Sequence, residues 1–245
     1  PLLSRMRVIS TDWDWLGAAP VVADDTVYIG AADGGFHAVA ASDGTRRWRY
    51  QSQGKIRTAA AIDGEHVIVA SEDHHVYALQ RSDGRELWRF DTGAAVDATP
   101  VLHAGRVLVG NRGYGLHSLD AATGELVWKQ FWWGSWVEST PVVVDDVIYI
   151  GSSDLRRVSA IDPAAGTLLW RTDVFGWTWG TPLVVGDRIY VASAGGTPYF
   201  IPHVAGLATL DRRSGRMLTR RPLPDSGGHQ WGVAGSIVTA YSTHS

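Results

Sequence analysis

Asp97 and Glu138 are the carboxylates in this sequence best suited to moving a proton, each three positions before a proline in VDATP and VESTP. The run FWWGSW (131–136) ends two residues before Glu138. A carboxyl group held against tryptophan loses hydration, which disfavours its charged form and raises its pKa towards the range where it donates a proton. Asp14, between Trp13 and Trp15, has the same setting. His229, close to Trp231, is a candidate base, and Arg57 is a candidate ion-pair partner for Asp97. Tryptophan faces stabilise a neighbouring positive charge by about 0.5–2 kcal/mol each. Together these residues suit an acid–base reaction passing through a cation: a cyclisation, an isomerisation or an elimination. They suit equally well the simple binding of a quaternary ammonium, a sugar or an aromatic compound.

Other chemistries find no residues. The chain has no cysteine, hence no disulfide, thiolate metal site or cysteine nucleophile. It has no G-x-S-x-G, and the adjacent His74 and His75 fall on a turn that splays their rings, so no metal site is expected. The glycine-rich turns lead into strands rather than helices, which leaves no phosphate cradle and no expected cofactor. A net charge of −3 without a basic block points away from nucleic acid and from anionic membranes. The first residues, PLLSRMRVIS, lack the apolar stretch of a signal peptide, and a cytoplasmic monomer or weak oligomer is expected, with a secreted or periplasmic protein as the alternative if a leader is removed before position 1.

A repeat positions the candidate residues. Trp48, Trp88, Trp128 and Trp170 recur at roughly forty-residue intervals, each four residues after a glycine, in DGTRRW, DGRELW, TGELVW and AGTLLW. Upstream of each glycine is an apolar, β-rich run: VYIG, VIVA, VLVG and IYIG. A fifth copy runs from TPLVVGDRIYVA to DRRSGRMLT, with Thr219 in the tryptophan position. A partial sixth copy is split between MRVIS and GVAGSIVTAYS. Short strands at this spacing, separated by Gly/Asp turns and without helical periodicity, predict an all-β, six-bladed β-propeller of four-stranded antiparallel blades. The whole chain, 1–245, is then one domain. Its ring is closed by pairing N- and C-terminal strands in a blade shared between 1–10 and 229–245, which leaves no sheet edge at the seam.

The units YALQRSDGRELW, HSLDAATGELVW and SAIDPAAGTLLW resemble pyrroloquinoline-quinone-type propeller repeats, with the docking pattern A-x-D-x-x-x-G-x-x-x-W. The resemblance covers nearly the whole chain and implies the fold. It does not select a function, because similar propellers include quinoprotein alcohol dehydrogenases, an outer-membrane assembly lipoprotein and sensor domains of bacterial kinases. The dehydrogenases place adjacent cysteines above the quinone and build a calcium site from Glu, Asn and Asp. Here cysteine is absent and Asn111 is the only asparagine, so quinone chemistry is not expected.

The repeat accounts for four of the twelve tryptophans as docking residues between blades. The others, Trp13, Trp15, Trp132, Trp133, Trp136, Trp177, Trp179 and Trp231, all lie between the outer strand of one blade and the inner strand of the next. Those connections share a face with the tips that carry Asp33, Asp73, His74, His75, Arg112, Tyr114, Asp154 and Arg156. The expectation is a tryptophan-rich pocket at the channel mouth, with Arg57, Asp97 and Glu138 on its charged side. An insertion within GGTPYFIPHVAG (195–206) would place Tyr199, Phe200 and His203 over it as a lid, or would instead cover the short closing blade. The leading reading is a small hydrophobic or aromatic substrate handled by a cofactor-independent lyase, isomerase or cyclase. The alternative is a non-catalytic propeller, a sensor or a module that binds a protein or peptide through exposed Trp and Arg.

Overall fold

The computed structural model describes residues 18–195 and 204–222. These form five four-stranded antiparallel sheets with strands in sequence order. The chain divides into two compact units, 1–100 and 101–245. The first unit holds β1 (Val21–Ala23), β2 (Thr26–Gly30), β3 (Gly35–Ala40) and β4 (Arg46–Gln51), then β5 (Ala61–Asp63), β6 (His66–Ala70), β7 (His75–Gln80) and β8 (Glu86–Asp91). The second begins with β9 (Val101–His103), β10 (Arg106–Gly110), β11 (Gly115–Asp120) and β12 (Leu126–Phe131). It continues with β13 (Val142–Val144), β14 (Val147–Ser152), β15 (Arg157–Ile161) and β16 (Leu168–Asp173). Its third sheet is β17 (Leu183–Val185), β18 (Arg188–Ser193), β19 (Gly206–Asp211) and β20 (Met217–Pro222). Five of the six expected blades are therefore present. The segments 1–10 and 229–245 that would form the sixth lie outside the described residues.

Local sequence explains each sheet. The second strands are continuous apolar runs, and β14 is buried along nearly its whole length, as a strand covered on both faces must be. The outer strands alternate instead: β12 reads exposed, exposed, half-buried, exposed, half-buried, exposed. Every blade carries one irregularity at the same place, a register shift in the third strand beside the residue facing the tryptophan position: Ala38/Val39, Ala78/Leu79, Ser118/Leu119, Ala160/Ile161 and Thr209/Leu210. Such a bulge bends the strand and strengthens its twist, which suits the outer part of a blade.

The docking motif works across blades rather than within one. The Trp48 Nε1–H donates to the carbonyl of Arg81 at 2.9 Å, Trp128 to Pro163 at 2.9 Å and Trp170 to Arg212 at 3.1 Å. Each ring lies flat against a glycine of that following blade. A Cβ on Gly84 would stand 2.6 Å from the Trp48 ring, one on Gly166 2.6 Å from Trp128, and one on Gly215 2.5 Å from Trp170. The same glycines have φ of 75°, 69° and 70°, a left-handed backbone that also disfavours a side chain. So Gly84, Gly166 and Gly215, each four residues before the tryptophan position of its own blade, serve the preceding blade. Around Trp48 the core joins both blades of the first unit, with Tyr28 and Phe36 from one and Val67, Val69 and Leu79 from the other.

Candidate functional site

The expected geometry of connections and tips is present in both units. In the first, Ser52 N donates to Gly34 O, Ile56 N to Ala31 O, and Glu72 N to Lys55 O, so each connection rides on the tip of its own blade and reaches the next. Arg57 is held by Glu72, Nε to Oε1 at 2.5 Å, with the two side chains 15% and 24% exposed. Asp97 is half-buried on the following connection. Asp73, at the tip between β6 and β7, accepts from Gln53 N at 2.8 Å, His75 N at 3.1 Å and the Tyr77 hydroxyl at 2.7 Å. Burial pushes the Asp73 carboxyl up, but hydrogen bonds led by that of Tyr77 outweigh it and hold the pKa below the usual carboxylate value. This carboxylate is a structural acceptor.

In the second unit FWWGSW folds as a tight turn. Ser135 N donates to Trp132 O at 3.1 Å, and Gly134 supplies the positive φ of 78°. Trp132 N donates to Tyr114 O at 2.7 Å and Ser153 N to Trp136 O at 3.1 Å, which fixes the turn between two tips. Within it the tryptophans divide by role. Trp132 packs on the core of Leu108, Leu116, Val137 and Ile150. Trp133, at the turn's apex, is 79% exposed, and Trp136 is 41% exposed. The Trp133 ring lies 6.1 Å from both Tyr114 and Phe131, which are themselves 6.2 Å apart. Arg112 sits over Trp136 at 5.2 Å and pairs with Glu138, Nε to Oε1 at 3.0 Å.

Tyr114 adopts φ of 67° at a tip position where the first blade has Gly34 at 79°. His74 at 79° and Arg156 at 53° hold the same place in the tips before β7 and β15, so this left-handed position, which costs a bulky residue roughly 1–2 kcal/mol, is filled by a non-glycine side chain in three of the tips.

Trp177 and Trp179 fill space instead. Their rings stack 5.3 Å apart at 11°, and Trp177 is buried against Ala192 and Ala194. Their Nε1–H groups donate to Asp154 Oδ1 at 3.2 Å and Ser153 Oγ at 2.7 Å. Nearby, Phe175 is 40% exposed beneath Arg220, whose guanidinium lies 4.2 Å from the ring.

The structure therefore brings Trp133, Trp136 and Glu138 together with Arg112 and Tyr114 of the tip, and turns Trp132, Trp177 and Trp179 inward. Phe131 and Phe175 belong with the exposed aromatics, although tryptophan spacing did not select them. The signal for Phe131 was its place as the last residue of an alternating outer strand, outward by parity. Trp13, Asp14, Trp15, Tyr199, Phe200, His203, His229 and Trp231 lie outside the described residues.

Among the described residues no group of three or more His, Asp or Glu is placed to hold a metal ion. The quinone–calcium arrangement of the dehydrogenases does not fit this chain. Asn111 is buried in its own tip, with Oδ1 accepting from Gly115 N at 3.0 Å.

A family model described as outer membrane protein assembly factor BamB matches residues 2–131 and 115–218. No curated protein matches in sequence. Among solved structures, BamB from Moraxella catarrhalis superposes with a TM-score of 0.72 at 22% identity, covering 84% of this chain and 61% of that one. The computationally designed Ika8 protein gives 0.68 at 19%, covering 87% and 62%. The quinohemoprotein alcohol dehydrogenase ADHIIG from Pseudomonas putida HK5 gives 0.70 at 17%, covering 84% and 42%. The chain thus spans 61% of the BamB structure's length. At these identities the likeness is one of fold.

Proposed function

The chain belongs to the family described as outer membrane protein assembly factor BamB, and on that premise we propose that it is a non-catalytic propeller that grips a protein partner. The gripping surface is the aromatic face of Tyr114, Phe131, Trp133 and Trp136, with Arg112. The observation that carries this reading is the outward stance of those rings, with Trp133 79% and Phe131 52% exposed. Large apolar rings beside arginine, fixed in advance by a hydrogen-bonded turn, are the residues that anchor protein interfaces. An extended segment bearing apolar side chains fits such a surface, and the family description supplies a setting for it in the assembly of outer membrane proteins.

The acid–base reading has less behind it. Arg57 and Glu138 are committed to ion pairs with Glu72 and Arg112, and Trp132, Trp177 and Trp179 serve the core. The ring of six blades closed through 1–10 and 229–245 is part of the same proposal.

The test is capture from cells of the source organism with wild-type protein, a Phe131→Ala/Trp133→Ala variant and a Tyr114→Gly variant. The expected result is one protein that binds the wild type and binds the double variant about thirtyfold or more weakly, with thermal stability nearly unchanged. Tyr114→Gly should weaken capture while holding or raising stability, because it relieves a left-handed backbone. Equal capture by all three proteins would overturn the reading.

A further inference from the structure

Two of the docking joints between blades carry an additional polar set. At the first, Arg81 provides the carbonyl for Trp48, and its own side chain folds back onto the preceding blade. Its Nε donates to the Tyr28 hydroxyl at 3.1 Å, Nη1 to Gly64 O at 3.2 Å, and Nη2 pairs with Asp24. Every nitrogen of that guanidinium is used. At the joint between β13–β16 and β17–β20 the same residue types recur as Arg212, Tyr149 and Asp145. At the joint served by Trp128 the corresponding positions are Pro163, Leu108 and Ala104, so the three polar residues are absent together. The set behaves as a unit, and a joint can do without it.

The copy at Arg212 is open where the copy at Arg81 is closed. Nη1 pairs with Asp145 at 2.6 Å, and Nη2 lies 4.0 Å from Asp187. The buried Nε has no hydrogen-bond partner among the described residues. The Tyr149 hydroxyl, the counterpart of the one that satisfies Arg81, makes no hydrogen bond there either. A cavity of about 350 Å³ lies at this point, floored by Val147, Leu169 and Trp170 and edged by Arg212, Tyr149 and Asp145. Burial, above all, raises the Tyr149 pKa, so the hydroxyl keeps its proton and remains a donor. Arg212 Nε is closed to solvent, so the donors on offer are the Tyr149 hydroxyl and the outer guanidinium nitrogens, and beside an apolar floor they define what the cavity takes: a compact apolar body with a hydrogen-bond acceptor. Arg213 also lines the cavity, and the two arginines face two carboxylates, Asp145 and Asp187, so the local charge is balanced, which favours a neutral acceptor over an anion.

We propose that this cavity is a binding site for a small aromatic or apolar molecule carrying a neutral carbonyl oxygen, which accepts from the Tyr149 hydroxyl and the Arg212 guanidinium while the body lies on Trp170 and Leu169. The site is separate from the aromatic face and does not depend on the function proposed for it.

Calorimetric titration of the full chain with indole-3-acetamide tests it, with 3-ethylindole as the uncharged probe of equal body and no carbonyl. Saturable binding is expected with a dissociation constant on the order of 1 mM or tighter, and 3-ethylindole should bind about tenfold more weakly. Tyr149→Phe should weaken indole-3-acetamide by about tenfold. Leu169→Trp, a change at a half-exposed side chain, should fill the cavity and abolish binding. Tyr28→Phe makes the same deletion at the closed joint and should leave binding unchanged. The proposal is overturned by absence of saturation, by equal affinity for 3-ethylindole, by full binding to Leu169→Trp, or by equal weakening in Tyr28→Phe.

Discussion

At the scale of single residues, His117 shows how a side chain unsuited to a core is accommodated in one. It is 1% exposed on β11, directly opposite Lys129 of β12. Burial, then the Lys129 charge, lowers its pKa to about 4, against a smaller opposing effect from a hydrogen bond to the Val109 carbonyl. The imidazole is therefore neutral in the folded protein wherever the unfolded chain, with its ordinary value of 6.5, begins to take up a proton. A base with a depressed folded pKa contributes stability that is intact above pH 6.5 and is lost as the pH falls towards about 4. Between those limits the contribution falls by up to about 1.4 kcal/mol per pH unit. Replacing His117 with Leu should flatten the stability–pH curve over this window relative to wild type, with little change in slope above it. Urea unfolding at half-unit steps of pH measures this, and parallel curves for the two proteins would refute it. The sequence placed no weight on His117, because nothing in its neighbours distinguishes it from the half-buried His37 position of the first blade.

At the scale of the elements, the joint between blades decides stability, and most of it was legible. The beat of glycine and tryptophan, the apolar second strands and the Gly/Asp turns gave strands, their order and the docking role of Trp48, Trp128 and Trp170. The direction of the contact was not legible: spacing ties each glycine to the position four residues later, whereas the structure ties Gly84, Gly166 and Gly215 to the tryptophan of the blade before. This difference is measurable. Gly84 has φ of 75° and faces the Trp48 ring, while Gly64 has φ of 49° with nothing within 4 Å of a built Cβ. Gly64→Ala meets only the backbone penalty, about 1 kcal/mol. Gly84→Ala meets that penalty and overpacks the joint, for a total of about 2–4 kcal/mol. Chemical denaturation of the two variants separates the terms, and equal losses would show that the tryptophan contact carries no energy. Trp48→Phe, which puts a smaller aromatic ring beside Gly84 and loses the hydrogen bond to Arg81, should bring the two glycine variants closer together.

At the scale of the whole molecule, the fold was easier to read than the site. Repetition declares a scaffold, since five copies of one pattern average out the accidents of each. A site is whatever departs from the repeat, and departure alone does not say which way a ring points. FWWGSW departs most strongly, yet its first tryptophan fills the core and its second stands in solvent, an outcome set by the turn at Gly134 rather than by composition. Closure of the ring is a question of the same scale. Stacked repeats gain stability from neighbours, and a propeller whose last blade is shared by both chain ends ties every joint into one cooperative unit. If residues 1–10 supply a strand to that blade, their deletion removes one strand in a seam that all the others depend on. The expected result is a fall in Tm of roughly 10 °C or more, together with earlier unfolding of both units rather than of one alone. Adding the deleted decapeptide back should recover part of the loss, as for a strand docking onto an open edge. A deletion variant with unchanged Tm would show that the ring does not close through its N-terminus.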